Sequence, residues 1–417
     1  MFTITNNHVS IFVGIDVSKR KLTAHILDND GNDLLKNFEV VNNRKGCKQL
    51  AQSIHNKANN IQAQNLQIGM EATNVYWLHA FKFLANYIPF NKLFNLTMYR
   101  LNPKIIKNFK KAYNKLPKTD SIDAWVIADR LRFGRVKASN VIEKSYEPLR
   151  QSTRFRFKLG ESIRTEKSRA LNLIFLKFSN YNDEAPFSAF SNASITLLKE
   201  FSPDQIATTD IQELAEFLLQ NSNHRLGGDT PIEKIAKTLK KAARNAYRLT
   251  PDMNDAVSRT LSMTFDNIKF MQKQIKKIDD VIKRQFKAIP QTLTTVPGLG
   301  DVFSAGIISE VDDVNRFKGQ AALASMAGLT WSKYQSGPFD AEETHLTKKG
   351  NKYLRYYLIE AANSLRVRND EYRRYYYKKY NESSTHKHKR ALVLTARKLV
   401  RLVYALLSKG EIYQPRR

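Results

Sequence analysis

Short segments in which apolar and polar residues alternate fill the first third of the chain. A period of two is typical of strands, and turn residues such as Asp30-Gly31-Asn32 separate the segments. The pattern predicts two strands within residues 9–28, around a turn at 18–20, and further strands at 37–41, 66–70 and 96–100. Helices are predicted at 47–57, roughly 75–87 and within 103–133. This order predicts an α/β domain with a mixed sheet over residues 1–145.

The middle of the chain, residues 146–290, has no strand pattern and is predicted to be helical. From Met253 to Phe286, apolar residues recur every three or four positions, as in one continuous helix between Pro251 and Pro290. A helix of this length is typical of a coiled coil, formed within the chain or against another subunit. Residues 179–235 are predicted to be an insertion with weak helices.

Residues 291–417 are predicted to form a third, mostly helical domain that ends in a basic tail. Near its start, Pro297-Gly298-Leu299-Gly300 precedes an apolar helix and resembles a helix–hairpin–helix element. In such an element the backbone N–H groups at Gly298 and Gly300 would approach a phosphate. The same four residues also fit a tight turn with no ligand.

The net charge of the chain says more about its partners than the rest of its composition does. The chain of 417 residues carries a formal net charge of +29 and has a sequence pI of about 9.9, which indicates a partner that is a polyanion, above all nucleic acid. A basic but inert surface is the alternative. A single cysteine, Cys47, excludes an intrachain disulfide and a cysteine zinc site, and it fits a reducing cytoplasm. No run of about 18 apolar residues occurs, so no membrane span and no secretion are expected.

Four carboxylates stand at positions where a structural role is awkward. Asp16 lies inside an apolar strand, where burying a charge is costly unless it is paired or bound to a cation. Glu71 directly follows another apolar strand, and Asp120 and Asp123 share one face at the start of a helix. Converging on two hard cations such as Mg²⁺, they would suit phosphodiester chemistry. Taken singly, Asp120 fits a helix cap and Asp16 a turn.

The strings VGIDVSK, GMEAT and LPKTDSIDA, in this order, resemble the RuvC-type domain of the DEDD transposases. The DEDD transposases are the insertion-sequence recombinases of the "one-ten" family, and the letters DEDD stand for four acidic metal ligands. The resemblance implies that Asp16, Glu71, Asp120 and Asp123 are catalytic and bind metal. The cofactor it implies is Mg²⁺, as two ions, with Mn²⁺ as an alternative.

A series of basic residues leads into the last acidic pair. Its members recur at helical spacings of three and four, which suits phosphate contacts and equally a solvated helix face. They are Arg100, Lys104, Lys107, Lys110, Lys111, Lys115 and Lys118.

The C-terminal region continues the resemblance. Its Gln-Ser-Gly string at 335–337 and its Lys-x-Gly-Asn-x-x-Leu-Arg string at 348–355 look like those of the family's transposase domain, and by that match Ser336 is the nucleophile. Lys348, Lys349 and Arg355 would then offset the charge of the attacked phosphate. Sequence physics alone would make Ser336 a turn residue. No general base is obvious.

The final 66 residues interleave basic residues with tyrosines, which suits stacked bases and phosphates as well as packing. Among them, His386 and His388 are predicted to be loop residues.

These features favour a prokaryotic, nucleoid-associated transposase that cleaves and rejoins element and target DNA. The resemblance also implies a structured guide RNA and a homo-oligomer, a dimer or tetramer, in which the metal site of one subunit faces the serine of another. Two alternatives stay open: a RuvC-like nuclease that hydrolyses DNA junctions, and a non-catalytic nucleic-acid-binding protein.

Overall fold

The structure is a computed structural model of the chain, and it describes residues 9–72, 74–113, 116–136, 146–223, 226, 230–331, 335–336, 339–340 and 346–415. The backbone forms two compact units, Met1–Glu143 and Lys144–Arg417. Within the described residues no helix is both long and apolar enough to cross a membrane.

A five-stranded mixed sheet forms the centre of the first unit. Its strands are β1 (Ser10–Val17), β2 (Lys21–Leu27), β3 (Asp33–Val41), β4 (Asn65–Glu71) and β5 (Asn95–Leu101). They lie in the order β3-β2-β1-β4-β5. The β1–β2 and β2–β3 pairs are antiparallel, whereas β4 pairs in parallel with β1 and with β5. The predicted mixed sheet is confirmed.

Five helices cover this sheet: α1 (Arg44–Asn60), α2 (Trp77–Ala85), α3 (Ile88–Leu93), α4 (Pro103–Lys110) and α5 (Asp120–Arg132). Alternate residues of β1 face opposite sides, because side chains along a strand alternate. Ile11, Val13 and Ile15 enter the core that includes α1 and α2, while Phe12 enters the core under α5. The central strand is therefore buried on both faces.

Two predicted elements differ in extent. The third strand starts four residues earlier than predicted, at Asp33, and Asn37 within it has a positive φ of 46°. The pairing of β3 with β2 is also irregular near Ile26, so the alternation in its first half is broken. The predicted helix at 75–87 ends at Ala85, and Pro89 lies in the first turn of the separate helix α3.

Helices fill the first part of the second unit: α6 (Tyr146–Lys177), α7 (Tyr181–Glu184), α8 (Asn192–Glu200), α9 (Pro203–Thr208), α10 (Ile211–Asn221), α11 (Ile232–Asn245) and α12 (Pro251–Lys287). The predicted long helix is confirmed as α12. It packs antiparallel against α6, where Arg156 Nε and Asp279 Oδ1 lie 2.5 Å apart and Ile163 shares a core with Ile268. The partner of the long helix is thus found within the chain.

The rest of the second unit contains α13 (Asp301–Val311), α14 (Gln320–Ala327), a two-stranded ladder of β6 (Gln335–Ser336) and β7 (Phe339–Asp340), α15 (Lys352–Arg368), α16 (Asp370–Asn381) and α17 (Lys387–Lys409). Leu149 of α6 and Phe286 of α12 are buried in the same core as these helices. A separate domain boundary near residue 290 stays a prediction.

Candidate active site

Two glycines let helix α5 lie directly on the sheet. Gly14 and Gly69 are register partners on the neighbouring strands β1 and β4. A Cβ atom at Gly14 would stand 2.0 Å from the carbonyl oxygen of Ala124 and 2.3 Å from the backbone nitrogen of Ala128. At Gly69 it would stand 2.9 Å from Leu131 Cδ1. At Gly14 only glycine allows this close approach, because the atoms that a Cβ would meet belong to the backbone of α5.

The same approach brings the four carboxylates together. Asp16 is two residues beyond Gly14 and Glu71 two beyond Gly69, so both acids lie on the face of the sheet that α5 covers. Asp120 and Asp123 stand in the first turn of α5. Burial and then the charges of Asp120, Asp123 and Glu71 raise the pKa of Asp16 to about 6. The acids that the sequence singles out are therefore neighbours.

The structural alternatives for two of these acids are wrong. Thr119, not Asp120, caps α5, because its hydroxyl accepts a hydrogen bond from the backbone N–H of Ile122 at 3.3 Å. Asp16 is not a turn residue, since it lies inside β1 opposite Thr23. Neither a helix cap nor a turn therefore accounts for these two carboxylates.

Two lysines form ion pairs with Asp120 and Asp123 in the first turn of α5. Lys21 Nζ lies 2.9 Å from Asp120 Oδ2 and 2.8 Å from Glu39 Oε1, and Lys110 Nζ lies 2.6 Å from Asp123 Oδ1. Hydrogen bonds to Glu39 and Asp120 keep the pKa of Lys21 above its ordinary value. In the described part of the chain, no group of three or more His, Cys, Asp or Glu side chains is arranged as a metal site.

The donor set nevertheless fits a hard divalent cation. It consists of carboxylate oxygens alone, which are the ligands that Mg²⁺ and Mn²⁺ accept. Burial, and then repulsion by the other three acids, raises the pKa of Asp16, and bound positive charge would relieve that repulsion. The lysines supply part of this charge in the structure.

Gly14, Gly69 and Lys21 contribute to the site but were not predicted from the sequence. The two glycines were visible inside strands, where glycine often marks a close backbone approach. Lys21 had no local signal, because its partner Asp120 lies about a hundred positions away.

Replacing Gly14 by alanine is expected to destabilise the first unit by at least about 2 kcal/mol, because the new methyl group meets backbone atoms of α5 that cannot rotate away. Thermal denaturation checks this. Gly160→Ala is the control, since its Cβ would meet no atom nearer than Tyr356 Oη at 3.9 Å. Equal melting temperatures for Gly14→Ala and wild type would mean that α5 does not rest on this glycine.

Most of the basic series leading to α5 is exposed. Lys104 and Lys107 of α4, and Lys111 and Lys118 after it, all face solvent. The other members have partners: the guanidinium of Arg100 lies 5.7 Å from the ring centre of Trp77, and Lys110 pairs with Asp123. Lys115 lies outside the described residues. Phosphate contacts by this series stay a prediction.

The predicted nucleophile lies in a segment whose two ends are held together. Ser336 is in the short strand β6, opposite Phe339, and its side chain, with Gly337 and Pro338, lies outside what the structure describes. At the two ends of the segment, Trp331 bridges Leu346, and the N–H of Thr347 donates to the carbonyl of Thr330 at 2.8 Å. These four residues hold the two ends together and form the base of the segment.

The Lys-x-Gly-Asn string builds this base. A Cβ at Gly350 would stand 2.3 Å from the carbonyl oxygen of Met326, and the Asn351 N–H donates to that oxygen at 2.6 Å. The Asn351 side chain caps α15 and donates to buried Glu310 at 2.6 Å. Arg154 of α6 donates two bonds to Glu310, at 2.7 and 2.8 Å. A buried polar network thus ties the base to α6.

Three residues predicted to contact phosphate flank this base. Arg355 donates to the carbonyl oxygens of Ala327 at 2.9 Å and Lys348 at 3.2 Å, so it closes the two ends of the segment. Lys348 and Lys349 are exposed. The structure thus gives Arg355 partners within the protein, and contact of the two lysines with phosphate stays a prediction.

The glycine hairpin packs on another helix. Gly298 has a φ of +99°, which favours glycine, and its Cβ would stand 3.3 Å from Leu365 Cα of α15. Gly300 precedes α13 and has open space at its Cβ position. A short 3-10 turn, Leu293–Thr295, stands before the hairpin. Binding of phosphate at Gly300 stays a prediction.

The tyrosines of the tail divide between packing and exposure. Tyr372 and Tyr376 are buried, whereas Tyr377 is 53 % exposed. The Tyr376 hydroxyl and His388 Nδ1 are 2.7 Å apart, and His388 lies in the first turn of α17. The prediction that His388 is a loop residue is wrong, because the helix starts one residue before it.

Two models of known protein families match the chain. A transposase model of the DEDD type of IS110 matches residues 13–178, which include all four carboxylates. A second model, described as "Transposase IS116/IS110/IS902 family", matches residues 290–378, which include Ser336.

Proteins of bacterial insertion elements are similar to this chain, two of them over nearly their whole length and a third over less than half of it. The IS116 44.8 kDa protein of Streptomyces clavuligerus is 24% identical over 417 residues, covering 99% of this chain and 98% of its own. The IS900 42 kDa protein of Mycobacterium paratuberculosis is 21% identical over 97% of both chains. The IS110 43.6 kDa protein of Streptomyces coelicolor is 28% identical over 191 residues, 42% of this chain and 46% of its own.

The protein is therefore a transposase, a class of enzyme that cleaves and rejoins DNA. The chain belongs to the IS110 family of insertion-element transposases.

Proposed function

We propose that this transposase recombines insertion-element ends with target DNA through a divalent-cation site of four carboxylates and a serine nucleophile. The observation that carries the proposal is the meeting of Asp16 and Glu71, at two strand positions, with Asp120 and Asp123 at the start of α5. Such a set of acids costs stability in the absence of cations, and binding nucleic acid without chemistry does not require it.

The four carboxylates would hold Mg²⁺, as two ions, with Mn²⁺ as an alternative. When bound, such cations offset charge on the phosphodiester and favour the ionised form of an attacking hydroxyl. The chain itself orients the acids, because Gly14 and Gly69 seat α5 on the sheet and Thr119 fixes its first turn. The strand order β3-β2-β1-β4-β5 supports a RuvC-like description of this domain.

Ser336 is the proposed nucleophile. The closed base at Trp331 and Leu346 presents the segment that carries it, and Lys348 and Lys349 are exposed next to that base. Attack of the seryl oxygen on a DNA phosphorus would expel a sugar hydroxyl and leave a phosphoserine ester. A second sugar hydroxyl can displace serine, so that strands are rejoined without an external energy source.

A structured guide RNA and a homo-oligomer complete the proposal. The net charge of +29 supports a large polyanion as partner, and the family resemblance supports the RNA. Purification of the protein from cells that carry the whole element, followed by sequencing of bound RNA, tests this. A discrete RNA encoded in the element is expected, and only degraded cellular RNA would contradict RNA guidance.

Affinity for nucleic acid is expected to fall steeply with salt, because many lysines and arginines would release counterions from phosphates. A protein making about 6–10 phosphate contacts loses about 10³–10⁵ in affinity between roughly 50 and 200 mM salt. Fluorescence anisotropy with a labelled duplex and a structured RNA measures it. An almost flat dependence on salt would mean that the basic surface does not bind phosphates.

A further inference from the structure

Each acid of the first turn of α5 is paired with its own lysine, and the two lysines come from different elements. Lys21 is the first residue of β2, and Lys110 is the last residue of α4. Their ammonium groups lie 2.9 Å from Asp120 Oδ2 and 2.6 Å from Asp123 Oδ1. Two elements that are separate in sequence thus each place one cation on the carboxylates.

The Lys110–Asp123 pair is the better shielded of the two. The exposed fractions of its side chains are 21% and 30%, against 41% and 46% for Lys21 and Asp120. Screening by water and salt weakens an exposed pair more than a partly buried one. Lys110 should therefore compete more strongly than Lys21 for the oxygens of the site.

We infer that Lys21 and Lys110 are resident cations of the carboxylate site, which a divalent cation must displace from Asp120 and Asp123 before it binds. This inference rests on the proposed divalent-cation site and adds that the two lysines limit the binding of cations there. A carboxylate oxygen that accepts a short bond from an ammonium group gives up part of its capacity to ligate metal. The lysines stabilise the metal-free protein and at the same time weaken its affinity for metal.

Isothermal titration calorimetry with Mn²⁺ on the full chain tests the inference through binding alone. We expect the Kd for Mn²⁺ to fall about threefold in Lys21→Met and about tenfold in Lys110→Met, as loss of an exposed and of a partly buried ion pair implies. The double variant should bind about thirtyfold more tightly. The rise in melting temperature produced by Mn²⁺ should also be larger in the variants than in wild type.

Lys36→Met is the matched control, because it removes another lysine–aspartate pair of the same unit, Lys36 with Asp33 at 2.7 Å. Its Kd for Mn²⁺ should stay within about twofold of wild type, since an exposed pair away from the site contributes little. Lys21→Gln and Lys110→Gln repeat the test with a polar side chain.

The possible results separate the inference from the function on which it rests. Wild type that binds Mn²⁺ while the double variant binds equally or more weakly would overturn the competing role of the lysines and leave the cation site intact. A wild type that shows no Mn²⁺ binding, and does not differ from Asp123→Asn, would overturn the site and the inference together.

Discussion

Asp16→Asn is expected to lower divalent-cation-dependent DNA cleavage by about 10³-fold or more, because it removes a charged oxygen ligand from the centre of the four acids. Cleavage is measured as nicking of supercoiled DNA, or of element ends supplied with the co-purified RNA. Asp30→Asn, in an exposed turn of the same unit, is the control and should cleave like wild type.

The same variant should be more stable than wild type without metal. The pKa of Asp16 is raised from 3.8 to about 6 in the folded protein, so its ionised form opposes folding above pH 4 and fully so above pH 6. Asparagine removes that cost, which amounts to on the order of 1 kcal/mol after allowance for solvent screening. A melting temperature at pH 8 that falls instead would contradict this account, and cleavage at the wild-type rate would contradict the metal site.

The sheet and the long helix were readable from sequence because their patterns are local. The strands of the first unit keep their predicted order, and α12 covers the predicted stretch from Met253 to Phe286. The start of β3 was missed because Asn37 adopts a positive φ and the pairing with β2 slips near Ile26. Local departures of this kind break the period on which the prediction depends.

The four acids of the site were predictable from the sequence, whereas the contacts that position the surrounding elements were not. Asp16 and Glu71 are conspicuous because a charge within or at the end of an apolar strand is costly. The need for glycine at position 14 arises only once the backbone of α5 lies against it. Likewise, the bonds of Arg355 to the carbonyls of Ala327 and Lys348 form only because the two ends of the segment lie together. Such contacts join distant residues and leave no periodic trace.

A serine nucleophile and a water nucleophile predict different products, and the carboxylates alone do not separate them. Hydrolysis by a RuvC-like nuclease gives free DNA ends and needs no residue in the second unit. Transfer through Ser336 gives a covalent protein–DNA ester and conserves the energy of the broken phosphodiester. The fate of the cut phosphate therefore distinguishes transposition through serine from junction cleavage.

Ser336→Ala is expected to reduce formation of the covalent protein–DNA adduct and strand exchange, each by at least about 10³-fold, because alanine lacks the hydroxyl oxygen that would form the ester. The reaction is trapped with labelled DNA and guide RNA in the presence of Mg²⁺ and resolved on a denaturing gel. Ser325→Ala, in α14 before the segment, is the control and should form the adduct like wild type. Because the Trp331–Leu346 bridge and the Asn351 contacts lie outside the substituted position, the variant should fold and bind nucleic acid normally. An adduct formed by Ser336→Ala at the wild-type level would place the nucleophile elsewhere, whereas free DNA ends from wild type with no adduct would favour hydrolysis.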